Sequence, residues 1–285
     1  MKIVKSKADL AATLQYERSA NAKIGFIPTM GPLHEGHITL IKSAKQAADT
    51  TVCSIFVNPT QFNDPKDFEH YPVTIEQDIA MLTDAGCDIL FLPTVAEMYP
   101  DGTASLESYE LGYVETVLDG AARPGHFQGV AQVMSRLLDA VQPDNLYMGQ
   151  KDYQQCMVVK QLLGLRTGQT KIHFVPTMRE PDGLAMSSRN RRLNEGQRAL
   201  AGLLYQCLVS VEAQNGIKPF AVVKKECLDL LEHKGFKADY VTLADADTLE
   251  ILEDYDASRN MIALIAAFIG DIRLIDNLPL KKQTM

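Results

Sequence analysis

Over the first 176 residues, apolar and polar positions follow two rhythms in alternation. Residues 7–20 ("KADLAATLQYERSA") space their apolar side chains for a helix, and residues 23–28 ("KIGFIP") read as a short buried strand. "GHITLIKSAKQAAD" returns to helical spacing through Ile38, Ile41 and the alanines at 44–48, and "TVCSIFV" at 51–57 is rich in strand formers. Strand, turn, helix and strand in quick succession predict a βαβ unit, whose parallel strands need a crossover. The alternation continues with a helix over 75–86, a strand over 87–93, a helix over 129–141, a strand over 145–149, a helix over 152–165 and a strand over 171–176. The pattern predicts an α/β fold with a Rossmann-like doubly wound parallel sheet, binding its ligands at the carboxyl ends of the strands.

The rhythm changes after "REPDGLAMSSRNRRL". Helical stretches at 194–214 and 220–235 precede strand-like "DYVTLAD", "MIALIAAFIG" and "IRLIDNL". Helices followed by strands predict a smaller C-terminal α+β domain. The boundary is expected within 178–186, giving domains of 1–180 and 181–285. No internal repeat or low-complexity segment is present.

Composition removes several classes of function. With 28 basic against 36 acidic residues the net charge is −8. That balance argues against a general nucleic-acid binder, which needs a basic face, while leaving room for a local anion pocket. The apolar run at 261–270 is about half the length of a membrane span, and the N-terminus lacks the apolar core of a signal peptide. The five cysteines are odd in number, scattered and free of CxxC spacing. They read as reduced core thiols of a cytoplasmic protein, without a disulfide or a zinc site.

Candidate chemistry gathers at the strand ends. "PTMGPLHEGH" sets His34 and His37 three residues apart where the first long strand turns into a helix, so the helix dipole and its first N–H groups favour an anion there. An HExxH zinc site needs histidines four apart and a third ligand, and neither is evident. The next strand ends in "NPTQF", with Asn58 and Gln61, and "RPGHFQGV" supplies Arg123, His126 and Gln128. "GQKDYQQ" brings Lys151, Asp152 and Gln155, and "MSSRN" brings Ser187, Ser188 and Arg189. Singly, each reads equally well as a surface charge or a helix cap. Together they converge on one edge of the predicted sheet. Neither a Walker loop nor a GxGxxG follows a strand, so a phosphate site would be made of side chains and helix ends, which points to nucleotidyl transfer.

"HEGH" and "MSSRN" resemble the HIGH and KMSKS signatures of the class I synthetase and nucleotidyltransferase superfamily. More narrowly, "IPTMGPLHEGH", "VNPTQF", "RPGHFQGV", "GQKDYQQ", "REPDGLAMSSRN" and "IRLIDN" resemble, in order, the motifs of the pantothenate synthetase (pantoate–β-alanine ligase) family, from about residue 20 to 278. The resemblance implies ATP-dependent condensation of pantoate with β-alanine through pantoyl adenylate, giving pantothenate, AMP and pyrophosphate, a step on the way to coenzyme A. It implies that His34, His37, Lys151, Ser187 and Arg189 are catalytic contacts to the phosphates. Met30, Gly149, Asp152, Met186 and Ser188 would line the ATP site, with Asp152 at the ribose and Met186 at the adenine. Gln61, Gln155, Met30, Asn58, Arg123 and Gln128 would receive pantoate. Asp78, or its neighbour Gln77, would meet Mg²⁺, the C-terminal domain would act as a lid, and the enzyme would be a homodimer. Two departures stand out: Met148 replaces the Phe often found before the glycine of the Lys loop, and "TIEQ" at 74–77 lacks a second acid.

Other functions fit part of the pattern. An adenylyltransferase of the same superfamily acting on a phosphorylated acceptor would share the paired histidines, but would not need Gln61 and Gln155 at two strand ends. A tRNA synthetase would need room for an anticodon domain. A catalytically silent nucleotide-binding protein would not need His37, Lys151 and Arg189 together.

Overall fold

The computed structural model describes residues 1–62 and 68–281, and the chain divides into two compact units. The first unit is Met1–Gly149 with Gln154–Pro176, and the second is Gln150–Tyr153 with Thr177–Met285. Thus the short piece 150–153, which follows the fifth strand directly, groups with the second unit.

In the first unit the described strands form a six-stranded sheet. They are β1 (Lys2–Val4), β2 (Ile24–Thr29), β3 (Thr50–Ile55), β4 (Ile89–Phe91), β5 (Asn145–Gly149) and β6 (Lys171–Val175), in the spatial order β1-β4-β3-β2-β5-β6. All neighbouring pairs run parallel. Every residue of β3 is buried, as expected of a strand covered on both faces. Successive side chains alternate between two cores: Phe26 and Val52 face one, Ile27 and Cys53 the other. Helices α1 (Lys7–Ser19) and α4 (His126–Val141) fill the first, and α2 (Glu35–Lys45) and α3 (Ile75–Asp84) the second. Each fully buried Leu, Ile or Phe contributes roughly 1.5–3 kcal/mol. Helix α5 (Tyr153–Leu165) connects β5 to β6.

The strand order reverses at β2. The chain moves outward from β2 to β3 and β4, then returns to place β5 on the other side of β2. A crevice for ligands is expected beyond the carboxyl ends of these two strands.

The second unit has a four-stranded antiparallel sheet of β7 (Phe236–Asp245), β8 (Ile251–Leu252), β9 (Met261–Ile269) and β10 (Ile272–Pro279), ordered β10-β9-β7-β8. Helices α6 (Glu195–Ala201), α7 (Leu203–Ala213) and α8 (Phe220–His233) share its core. The single helix expected over 194–214 is two helices broken at Gly202, where a Cβ would lie 2.8 Å from the Asp182 carbonyl oxygen. All five cysteines are buried. Among the described residues no helix is long and apolar enough to cross a membrane.

Candidate active site

The segment joining β2 to α2 is held from behind by a buried carboxylate. Asp78, 1% exposed in the first turn of α3, accepts from the Leu33 N–H at 2.8 Å and the Thr74 hydroxyl at 3.0 Å through Oδ1. Its Oδ2 lies against Gly31, where a Cβ would sit only 2.8 Å away. Gly31 also has φ +65°, and its carbonyl accepts from the Tyr71 hydroxyl at 2.7 Å. Only glycine meets both demands at that position.

This anchoring delivers the two histidines. His34 is the extended N-cap of α2, and its N–H donates to His37 Nδ1 at 3.2 Å. The half-buried rings lie 4.0 Å apart between centroids. Because Nδ1 of His37 accepts, its ring proton belongs on Nε2. The geometry makes His37 a neutral donor at a helix N-terminus, suited to a phosphate oxygen.

Asp78, or its neighbour Gln77, is also the residue expected to meet Mg²⁺. The Asp78 Oδ1 is occupied by two donors, and its Oδ2, buried without a hydrogen-bond partner, faces Gly31. Among the described residues no group of three or more His, Cys, Asp or Glu side chains gathers to hold a metal. A nucleotide-borne Mg²⁺ needs no such cage, since phosphate oxygens and water supply most of its ligands.

The residues expected at pantoate separate into two kinds. Gln61, at the end of the short turn Pro59–Gln61, is 9% exposed and reaches the Met30 sulfur at 2.9 Å. Asn58 instead holds Gln61 in place. Its Nδ2 donates to Gln61 Oε1 at 3.2 Å and to the Gly129 carbonyl at 3.1 Å, and its Oδ1 accepts from the Tyr99 hydroxyl at 2.7 Å. Burial raises the Tyr99 hydroxyl above its ordinary range, so it keeps the proton it donates. Arg123 donates to His126 Nε2 at 3.1 Å, which leaves the ring proton on Nδ1, 2.8 Å from the Gln61 carbonyl. Both therefore act on the backbone of Gln61. Gln128 clamps the Tyr109 backbone through both ends of its amide and donates to Glu115 at 2.7 Å.

Gly129 explains how α4 approaches the Pro59–Gln61 turn, because a Cβ there would lie 2.3 Å from the Thr60 oxygen. Along α5, buried Gln154 holds the Asp119 N–H and the carbonyls of Val114 and Val117. The side chain of half-buried Gln155 makes no hydrogen bond among the described residues. At the end of β5, the space beside Gly149 is open, with nothing within 4 Å of a would-be Cβ.

The second unit assembles the cationic residues. Lys151, in the turn Gln150–Asp152, lines one cleft with Ser187, Arg189, Asn190 and Asp276. These positions are far apart in sequence, and the fold brings them together. Ser187 caps the turn Ser188–Arg192, its hydroxyl accepting from the Arg189 N–H at 3.2 Å. Exposed Asp152 lies 3.7 Å from the Lys151 ammonium. Half-buried Met186 donates its N–H to the Met178 carbonyl at 2.9 Å, closing a small hairpin that turns at Gly183. Arg179 fastens this hairpin to β10 through Asp276, at 2.6 and 3.0 Å, and stacks on the Tyr205 ring at 3.9 Å. Burial raises the Asp276 carboxyl, and the Arg179 guanidinium beside it pulls the other way.

Sequence reasoning missed the supporting residues. Nothing in the local pattern marks Tyr99 as the partner of Asn58, or Asp78 as the anchor of Leu33. Only the odd combination of a glycine and a buried acid hints at the second pairing.

The chain is similar to known proteins over nearly its whole length. A family model described as pantoate-beta-alanine ligase matches residues 2–279. A pantothenate synthetase of Pseudomonas fluorescens (strain Pf0-1) is 44% identical over 286 residues, covering 100% of this chain and 99% of its own. The crystal structure of pantothenate synthetase from Thermus thermophilus aligns with a TM-score of 0.90 at 40% identity, covering 98% of this chain and 99% of that one. That of pantoate-beta-alanine ligase from Francisella tularensis, complexed with beta-gamma ATP and beta-alanine, aligns with a TM-score of 0.82 at 36% identity, over 98% and 97%.

Proposed function

Because this chain belongs to the pantoate–β-alanine ligase family, we propose that it condenses pantoate with β-alanine using ATP, by way of pantoyl adenylate. In the first step a pantoate carboxylate oxygen bonds to the α-phosphorus of ATP and the bond to the bridging oxygen breaks, releasing pyrophosphate. In the second, the β-alanine amine bonds to the acyl carbon and loses a proton, the bond from that carbon to the oxygen bridging it to phosphorus breaks, and AMP leaves with the bridging oxygen. A carboxylate is already ionised near neutral pH, so the first step needs no base, only stabilisation of phosphate charge.

The observation that carries this reading is the cleft shared by Lys151, Ser187 and Arg189. Lys151 and Arg189 bring positive charge to the phosphates, and the Ser187 and Ser188 hydroxyls serve as smaller donors beside them. His37 donates from Nε2, with His34 beside it. Asp152 takes the ribose beside open Gly149, and Met186 flanks the adenine. Gln61 and Gln155 recognise the polar groups of pantoate, with Met30 against its methyl groups. Asn58, Arg123 and Gln128 support this set indirectly. Mg²⁺, arriving on the nucleotide, supplies charge neutralisation at the phosphates. A cytoplasmic location rests on the scattered cysteines, and a homodimer on the family resemblance alone.

Pyrophosphate exchange tests the proposal. Labelled pyrophosphate should enter ATP when pantoate and Mg²⁺ are present and β-alanine is absent. Exchange that requires β-alanine, or release of ADP instead of AMP, would count against it.

A further inference from the structure

Strand β10 carries two adjacent polar side chains, Asp276 and Asn277, that are 4% and 1% exposed. A strand interior accepts apolar residues more readily, since burying an amide is costly unless its hydrogen bonds are made. Here they are made, and all on one target. Asn277 Nδ2 donates to the carbonyls of Gln150 and Lys151, each at 2.9 Å, and Oδ1 accepts from Gln150 Nε2 at 3.2 Å. These are the two residues that open the turn carrying the Lys151 ammonium.

We infer that Asn277 is a positioning residue for Lys151, fixing the backbone from which the ammonium reaches the transferring phosphate. Lys151 has a long, flexible stem, so the place of its head depends on how firmly its backbone is set. The neighbouring Asp276 does the same for the other cation-bearing segment, taking Arg179 at the root of the hairpin that leads to Ser187 and Arg189. Arg179 also donates to the Asn277 carbonyl at 3.1 Å, so one dipeptide sets the register of both segments. A misplacement of about 1 Å can cost roughly a hundredfold in rate.

The inference rests on Lys151 acting in adenylation, and a double-mutant cycle separates the two ideas. The readout is pyrophosphate exchange, with kcat and the KM values for ATP and pantoate measured separately, and thermal unfolding followed in parallel. Asn277→Ala should lower kcat roughly ten- to hundredfold while leaving the KM for pantoate nearly unchanged. In a Lys151→Ala background the same change should cost little more, because the group it positions is gone. An equal fold-loss in both backgrounds would overturn the positioning role, as would a loss that merely follows the unfolded fraction. If Lys151→Ala itself leaves exchange intact, it is the reading of Lys151 that fails. Should Asn277→Ala not fold, Asn277→Asp keeps the volume but replaces the donors with an oxygen. Half-buried Gln150→Ala removes one contact alone and must show the same coupling with a smaller loss.

Discussion

The two edges of the parallel sheet use polar residues in opposite ways. At the amino edge, carboxylates end on the backbone of the strands. Asp49 accepts from the Lys23 N–H, Asp88 from the Thr51 N–H and Asp144 from the Ile24 N–H, each at 2.8 Å. Lys45 and Lys23 then pair with Asp88 and Asp144 at 3.1 and 3.2 Å. At the carboxyl edge the one carboxylate placed behind the β2–α2 segment, Asp78, is buried, and the groups in front of it are imidazoles and amides. On the proposed reading this edge receives phosphates and a substrate carboxylate, which imidazole and amide donors serve. At the amino edge the acids serve the strand N–H groups, and at the carboxyl edge Asp78 serves the Leu33 N–H. Damage at the carboxyl edge should fall on rate, and damage at the amino edge on stability.

The largest effect is expected at His37. His37→Ala removes a preorganised donor and should lower pyrophosphate exchange by roughly 10²–10³, about 3–4 kcal/mol, with little change in unfolding temperature. Aminolysis of supplied pantoyl adenylate should suffer much less, because pyrophosphate has already left. Since Nδ1 accepts the His34 N–H, two amides divide the ring's duties. Gln can bring an N–H near the Nε2 position and should recover part of the rate. Asn can keep the acceptor near Nδ1 and should recover none. Gln as poor as Ala would turn the argument towards proton transfer and break the contrast between the edges at its most important point.

A smaller effect separates two neighbours on α5. Gln155→Ala should raise the KM for pantoate about tenfold, the order of one lost hydrogen bond to a charged group, and leave stability unchanged. Gln154→Ala strips partners from the Asp119 N–H and the carbonyls of Val114 and Val117. It should cost about 1–3 kcal/mol in denaturant unfolding and leave the KM alone. An exchange of these two outcomes would show that side-chain commitment is a poor guide to function here.

That pair also shows what the sequence can and cannot tell. The alternation of apolar runs is enough to place most strands and helices, because buried parallel strands are apolar throughout and the helices between them keep their period. The short edge strand β1, with two of its three residues exposed, leaves no such trace. Helix α4 starts at His126, ahead of the start expected at 129, because Gly125 enters it with φ +80° and makes "RPGH" look like a loop. At the site, residue type and position mark His37, Lys151 and Gln61 as candidates. They cannot tell Gln155, whose amide makes no hydrogen bond among the described residues, from Asn58 or Gln128, whose amides are taken by Gly129, Tyr99 and Tyr109, partners distant in sequence. Asp78 shows the same gap. A lone acid in a first helical turn looks available until the N–H and hydroxyl it accepts from are known.

The smallest effect belongs to the amino edge and is read in acid. For Asp88 and Asp144, burial works to raise the carboxyl, but the backbone N–H groups and the paired lysines outweigh it and hold both below the ordinary carboxylate range. A carboxyl whose pKa is lowered by folding stabilises the fold above its unfolded value, near 3.9, and loses that contribution as pH falls through the folded value. The window is therefore below about pH 4, and neutral pH lies on its plateau. Both groups are more than a third exposed, with side-chain exposures of 38% and 39%, so water screens the pairs. Each should contribute under about 1 kcal/mol. Asp88→Asn and Asp144→Asn keep an oxygen for the strand N–H and remove only the charge. Each variant should lose a little stability at pH 7 and show a flatter fall in stability from pH 5 to pH 2, with kcat and KM unchanged at neutral pH. A rate defect in either variant at pH 7 would mean that the amino edge reaches the chemistry after all.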